Sequence, residues 1–263
     1  YLGKAYFETR QNALAAVQLA LAKELDPQDP TAWYYDALRL QTENRPVAAL
    51  QDLQAAIAKN DNRAVYRSQH HLDSDEAARS ASLGRIYQDL GFNELASRQA
   101  YRALSHDPFN HASHRLLADA LGGEPRQELA RVSELFQAQL WQPMNINPIP
   151  PHLLESDLQV LAGAGPTTTS QYEFNPLFAR DRLAAQVAGL VGNQQTLADD
   201  ALLTGQYGPI GITLGQYHYE TEGFRDNNDQ TQDIYSAFVQ TAPLPQVNLQ
   251  FEARRRVLAQ GDL

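Results

Sequence analysis

The chain reads as an α + β multidomain protein: a solenoid of stacked helix pairs followed by an antiparallel β-meander. Three observations carry that reading. Over residues 1–142, rich in Ala, Leu, Gln and Arg, apolar residues recur at three- and four-residue spacing, the helical period. Within that span the pattern repeats about every 34 residues. From about residue 182 it alternates with period two and is punctuated by Gly and Asn, which reads as strands.

In the helical part, Leu83-Gly84-Arg85-Ile86-Tyr87 is followed by Gly91, Ala96, Ala100, Ala103 and Pro108. An earlier copy begins Leu2-Gly3-Lys4-Ala5-Tyr6 and continues through Ala15, Leu19, Ala22 and Pro27. Between them lie Trp33, Ala37, Leu40, Asn44, Ala49, Leu53, Ala56 and Asp61, and a weaker last copy has His114, Leu117, Ala118, Leu121 and Ala130. Small residues suit the close approach of two antiparallel helices, and large ones fill the gaps between stacked pairs. Asp26-Pro27 and Asp107-Pro108 are turn dipeptides that stop a helix.

This pattern resembles the tetratricopeptide repeat (TPR), whose signature is Trp-x2-Leu-Gly-x2-Tyr, then small residues, then Pro. The resemblance covers residues 1–142 and implies a TPR α-solenoid with a concave surface. The first copy starts within its first helix, which leads us to expect further repeats upstream. An insertion at 62–76, with Tyr66, His70, His71, Asp73 and Asp75, separates the second and third copies and is expected to lengthen one helix. In TPR proteins the first helix of each pair lines the groove. By that resemblance the ligand- or partner-binding positions are Tyr34, Leu38 and Gln41, then Ala81, Arg85, Gln88 and Asp89, then Arg115 and Asp119. The alternative is that these are plain solvated helix positions.

Residues 143–181 carry Pro143, Pro148, Pro150, Pro151, Pro166 and Pro176 together with Thr167-Thr168-Thr169-Ser170. No regular helix or central strand survives that density of proline. The stretch reads as a Pro-rich linker, either a plain connector or a partial plug.

Strands are expected at 182–191, 200–207, 210–220, 233–242 and 246–257. The last is clearest. Val247, Leu249, Phe251, Ala253 and Val257 share one face, broken only by Arg255, while Asn248, Gln250, Glu252, Arg254 and Arg256 share the other. Tight turns at Tyr207-Gly208-Pro209-Ile210 and Leu244-Pro245-Gln246 alternate with the longer Gly192–Ala198 and Glu222–Gln232 connections. Such a meander suits part of a transmembrane β-barrel, with Glu252, Arg254 and Arg256 on its polar face. Tyr207, Tyr217, Tyr219, Phe224 and Tyr235 would then contribute to an interfacial aromatic girdle. A soluble sheet with one wet face gives the same alternation. The strands read here are too few to close a barrel, which takes about eight, so residues 182–263 are expected to be a truncated portion of one.

A TPR solenoid, a linker and a barrel in that order resemble bacterial exopolysaccharide exporters, such as the poly-N-acetylglucosamine exporter and the outer-membrane subunit of cellulose synthase systems. The resemblance implies an outer-membrane protein of a Gram-negative bacterium with a periplasmic TPR domain. Its groove would bind a polysaccharide or protein partners, and its barrel would meet lipid and anchor or pass the cargo. The alternative is a soluble TPR adaptor that binds peptides or proteins, with an accessory sheet.

Composition narrows the remaining chemistry. A net charge of −10 argues against wrapping nucleic acid. The absence of cysteine excludes disulfides, thiolate catalysis and Cys-ligated metals. No apolar run approaches the ~18 residues of a spanning helix. His111 and His114 share a helical face, but no HExxH or carboxylate-plus-His pattern completes a zinc site. Asp226-Asn227-Asn228-Asp229 lacks the Gly and bidentate Glu of an EF-hand. There is no GxSxG elbow, Walker A sequence or GxGxxG after a strand. The expectation is a non-enzymatic protein with no cofactor, no metal and no catalytic residue. A hydrolase with an unrecognised site is the third class.

Overall fold

The computed structural model describes residues 1–64, 68–122, 124, 126–142, 144, 149, 151, 181–244 and 246–261. The chain divides into a helical unit and a sheet unit. The helical unit pairs α1 (Leu2–Glu8) with α2 (Asn12–Leu25), α3 (Pro30–Thr42) with α4 (Pro46–Ala58), α5 (Gln69–Asp89) with α6 (Asn93–His106), and α7 (His111–Leu121) with α8 (Glu128–Trp141). It is a stack of TPR-like hairpins.

The same turn closes successive hairpins. Arg10, Asn44 and Gly91 take positive φ of 60°, 56° and 84°. One residue further on, the N–H of Gln11, Arg45 and Phe92 donates back to the carbonyl of Tyr6, Leu40 and Tyr87 at 2.8–2.9 Å. This is the Schellman arrangement, which satisfies helix-end carbonyls and turns the chain sharply. Between hairpins, Asp26 and Asp107 accept the N–H of Gln28 and Phe109 at 3.2 and 3.1 Å, and the adjacent proline cannot continue a helix. The next helices start on capped ends. Asp29 accepts from Thr31 N–H at 3.0 Å ahead of Pro30, and Asn110 accepts from Ser113 N–H at 2.9 Å.

The small residues of the repeat are fully buried: Ala15, Ala49, Ala56, Ala96, Ala100 and Ala103 all sit at 0% exposure. A side chain at Gly84 would run into Leu116. Tyr34, Tyr35, Leu38, Leu40, Leu53 and Ile86 form the main core, and Leu116, Leu117 and Ala120 extend it. The insertion appears as a 3-10 turn at Asn60–Arg63 and a long α5, 21 residues against 13 in α3 and 11 in α7. Tyr66 lies outside the described residues.

The sheet unit is one open antiparallel sheet in the order β1-β2-β3-β4-β5. Its strands are β1 (Arg182–Val191), β2 (Leu197–Tyr207), β3 (Ile210–Thr221), β4 (Gln230–Leu244) and β5 (Val247–Gln260). β1 and β5 are its edges, so it is not a closed barrel. Several strands outrun their expected bounds because polar ends that resemble loop still pair. Asp199 faces His218, Thr231 faces Glu220, and Gln232 faces Tyr219. Tyr207 pairs with Ile210 across a two-residue turn in which Gly208 has φ 54°. Apart from Met144, Ile149, Pro151 and Asp181, the Pro-rich linker lies outside the described residues.

The register fixes which side chains share a face. One face carries Leu183, Val187, Val191, Leu203, Ile212, Leu214, Val239, Leu249, Phe251 and Val257. The other carries Thr204, Thr213, Tyr217, Tyr219, Gln232, Ile234, Gln240, Glu252, Arg254 and Arg256. The first face is open, with Leu183 73%, Val191 83% and Phe251 67% exposed, while Thr213, Gln232 and Gln240 on the second are buried. Two girdle expectations are corrected. Tyr217 and Tyr219 are buried on the polar face because their partners Asp200 and Ala198 set them there. Tyr207, Phe224 and Tyr235 are exposed.

Leu53 is fully buried in the helical core. Leu53→Ala should therefore cost ~2–5 kcal/mol, read as a lower urea midpoint in helical circular dichroism. An unchanged midpoint would mean that α4 does not pack as described.

Candidate functional site

Two surfaces hold the expected functional residues, one in each unit. In the helical unit, neighbouring first helices present their polar side chains to one another. Gln41 of α3 donates to Asp89 of α5 at 3.3 Å. Tyr34 of α3 and Ser82 of α5 place their hydroxyls 3.4 Å apart. Arg85 of α5 donates to Asp119 of α7 at 2.9 Å and to Gln88 at 2.6 Å, while Arg115 reaches Asp119 at 3.3 Å. Of the expected groove positions, Gln41 with Asp89, Tyr34 with Ser82, and Arg85 with Asp119 pair across α3, α5 and α7, whereas Gln88 and Arg115 bond within their own helices.

Their exposure is uneven. Tyr34, Leu38, Ala81, Arg85 and Arg115 are buried, whereas Gln41 and Gln88 are half-buried and Asp89 is exposed. Burial would raise the Asp119 carboxyl, but the Arg115 and Arg85 guanidiniums outweigh it and hold it below the usual carboxylate range. Asp89 goes the other way. Burial raises it, and the Gln41 hydrogen bond and the Arg85 charge offset this only in part. Asp119 is thus committed to its arginines, while Asp89 meets solvent at the Gln41 end of the row.

A charge network between hairpins was not anticipated. Lys23 of α2 contacts Asp36 of α3 at 2.7 Å and Asp52 of α4 at 2.6 Å, and Arg39 bridges Asp36 at 2.7 Å and Glu43 at 2.8 Å. Burial opposes the charge on Asp36, but Lys23 and Arg39 together lower its pKa. At Asp52, burial and Asp36 outweigh the Lys23 contact and raise the pKa. Lys23 also lies 4.5 Å over the Trp33 ring, whose indole N–H donates to Pro27 C=O at 3.1 Å. The spacing of Asp36, Arg39 and Glu43 is a helical ion-pair signature. Nothing local in the sequence ties Lys23 or Asp52 to them.

The histidines divide by environment. Burial pushes His111 down to about 4. His114 bonds Glu134 of α8 at 2.5 Å and the Pro108 carbonyl at 2.9 Å. Burial opposes its charge, but those bonds outweigh it and raise its pKa. The histidine that stands in place of the repeat's tryptophan is thus held by hydrogen bonds as well as by packing. Among the described residues no group of three or more His, Asp or Glu side chains is placed to hold a metal.

In the sheet unit, Glu252, Arg254 and Arg256 share the polar face, as the alternation requires. Arg254 contacts Glu252 at 2.5 Å. The pairing register sets Arg254 beside Ser236 and Arg256 beside Ile234, with Tyr217 and Asp200 in the same row as Arg256. Arg255 projects from the apolar face, opposite Tyr235.

No protein-family model matches this chain, and neither does any curated protein. Among solved structures it is similar to MamA at 23% identity, over 53% of this chain and 74% of that one, with a TM-score of 0.43. It is also similar to a chain of the APC/C hetero-tetramer Cut9–Hcn1 at 18% identity, over 55% of this chain and 26% of that one, with a TM-score of 0.47. Pseudomonas aeruginosa pilF is similar at 18% identity, over 55% of this chain and 75% of that one, with a TM-score of 0.31. The TPR-like character of the helical unit lies in its own hairpins and turns.

The His114–Glu134 pair predicts a pH dependence. A group whose folded pKa lies above its unfolded value of about 6.5 stabilises fully below that value and loses the contribution as pH rises through the folded pKa. Stability of the helical unit should therefore fall as pH rises above about 6.5 in urea titrations, and His114→Gln should flatten that fall. An equal slope in both proteins would remove the assignment.

Proposed function

We propose that this chain is a non-enzymatic scaffold whose helical unit binds a protein partner along α3, α5 and α7. The observation that carries the reading is the row of cross-helix contacts Arg85–Asp119, Tyr34–Ser82 and Gln41–Asp89, with Gln41, Asp89 and the neighbouring Gln88 at its accessible end. Stacked hairpins supply a continuous surface longer than any one pair, suited to an extended segment. The test uses variants that keep the buried ions intact. Gln41→Arg with Asp89→Arg should cut retention of captured partners about tenfold, or ~1.4 kcal/mol, in affinity capture from a bacterial extract read by mass spectrometry. Arg98→Glu, on exposed α6, should retain them. Identical retention by wild type and the double variant would place the binding surface elsewhere. Charge reversal at Arg85 or Arg115 is a poor probe, since it sets a carboxylate against half-buried Asp119.

A second reading concerns the sheet, and one observation favours it. A soluble single-layer sheet turns its apolar face inward, whereas here the apolar side chains are open and the buried side chains of β2, β3 and β4, Thr204, Thr213, Gln232 and Gln240 among them, lie on the polar face. That polarity suits a wall with lipid outside and water inside, as in an outer-membrane barrel completed by strands beyond this chain. On this reading the helical unit is periplasmic, and the polar face carrying Glu252, Arg254 and Arg256 is turned to the lumen. Polysaccharide cargo rests on the exporter resemblance alone. Among the described residues no helix is long and apolar enough to cross a membrane. The protein carrying this chain should float with phospholipid vesicles after detergent removal. Phe251→Arg should cost ~2–4 kcal/mol if it lies near the bilayer midplane, read from urea titration in vesicles. A monomeric protein that stays soluble without detergent would defeat this reading.

A further inference from the structure

Along β5 one charge interrupts the open apolar face. Arg255 projects from that face and is exposed, and among the described residues its guanidinium has no ion pair or hydrogen bond. The register shows where on the face it stands. Its row runs Val187, Ala201, Gln216, Tyr235 and Arg255 from β1 to β5. Toward the Gly208 turn the next rows are apolar, with Leu203 and Leu214, then Ile212, Val239 and Phe251. Toward the 222–229 loop the next row holds Asp199, His218 and Asp233, and His218 bonds Asp233 at 2.8 Å. Rows on one face are ~7 Å apart. Arg255 therefore stands on the border between an apolar zone and a charged one. Tyr235, directly opposite it on β4, is 50% exposed.

A hydrocarbon phase sorts side chains by depth. An ion pair such as His218–Asp233 is expelled to its edge. Tyrosines gather at the polar boundary. A long cation rooted near that boundary reaches its head out into the polar layer. The order of apolar rows, then Tyr235 with Arg255, then His218 with Asp233 follows this sorting.

We propose that Arg255, with Tyr235 beside it, is a contact site for the phosphate of an anionic lipid at the border of the bilayer. The proposal rests on the lipid reading of the sheet and adds the head group that the wall selects and the place where it is held. Charge complementarity supplies the occupant. A planar guanidinium meets a phosphate through two parallel hydrogen bonds, and the Tyr235 hydroxyl is a further donor. Asp233, diagonal to Arg255 across β4 and β5, is bonded to His218, while Glu220 and Asp199 lie further off, on β3 and β2.

Ala253 shares the open face with Arg255, one row away, so Ala253→Trp in the protein carrying this chain reports on lipid beside the arginine. Trp33 and Trp141 lie in the helical unit, and their emission is subtracted with the parent protein. The variant is reconstituted with brominated phosphatidylglycerol or brominated phosphatidylcholine, and indole quenching is compared. Phosphatidylglycerol should occupy the site about fivefold more tightly, the gain from one arginine near anionic lipid, and Arg255→Gln should bring the ratio to about one. Equal occupancy by the two lipids with Arg255 in place, or a preference that survives Arg255→Gln, would overturn the proposal and leave the lipid reading standing. Quenching by neither lipid would defeat the lipid reading, and the proposal with it.

Discussion

Successive residues of a β-strand point to opposite sides, and that rule decides most of what the sheet can do. In this register it sends Leu183, Val187, Leu214 and Phe251 one way and Thr213, Gln232, Glu252 and Arg254 the other. A slip of one residue would exchange the two sets. The open apolar side chains are worth ~1.5–3 kcal/mol each if removed from water. The same face also carries Gln216, Glu220 and the His218–Asp233 pair, so its apolar band is confined to the rows of Leu183, Leu203, Ile212, Leu214, Val239, Leu249 and Phe251. The polar face, its cover, and the placement of the arginines all follow from that single choice of register.

The helical unit solves a different problem. Its hairpins cannot hide their apolar faces singly, so each is finished by a turn that leaves the next in position to stack. Positive φ at Arg10, Asn44 and Gly91 shows that the turn outlasts changes of residue, because the hydrogen bond back to the helix holds it. Alanines at 0% exposure bring the helices close, and the ions that remain between hairpins are paired. Removing one partner of such a pair costs more than the pair contributes, since a charge is left buried. With the interior charges paired, the proposed recognition falls to the more accessible Gln41, Gln88 and Asp89.

Much of this was legible beforehand. Leu83-Gly84 and Asp107-Pro108 gave the hairpin phase, because close packing and turn chemistry restrict the residue types that fit. The alternation in β5 placed Glu252, Arg254 and Arg256 together, because period two is strict. The ends of β2 and β4 were read short, since Asp199 and Gln232 are polar yet paired. Tyr217 and Tyr219 were assigned by their nearness to strand ends, whereas register alone decides their face. The Lys23–Asp36–Asp52 network joins three helices, and pairs at such sequence distance leave no local trace. Burial of Arg85 and Arg115 was equally hidden, since the repeat pattern specifies position but not what covers it.

Whether the open face of the sheet borders hydrocarbon, the second reading proposed above, is decided by one added tryptophan. Both tryptophans of the chain, Trp33 and Trp141, lie in the helical unit, so Phe251→Trp adds a single reporter on that face. Its fluorescence should be blue-shifted in vesicles and quenched by lipids spin-labelled deep in the acyl chain, with iodide in the water having little effect. Emission at the wavelength of wetted indole, quenched by iodide and indifferent to the labelled lipid, would contradict the account.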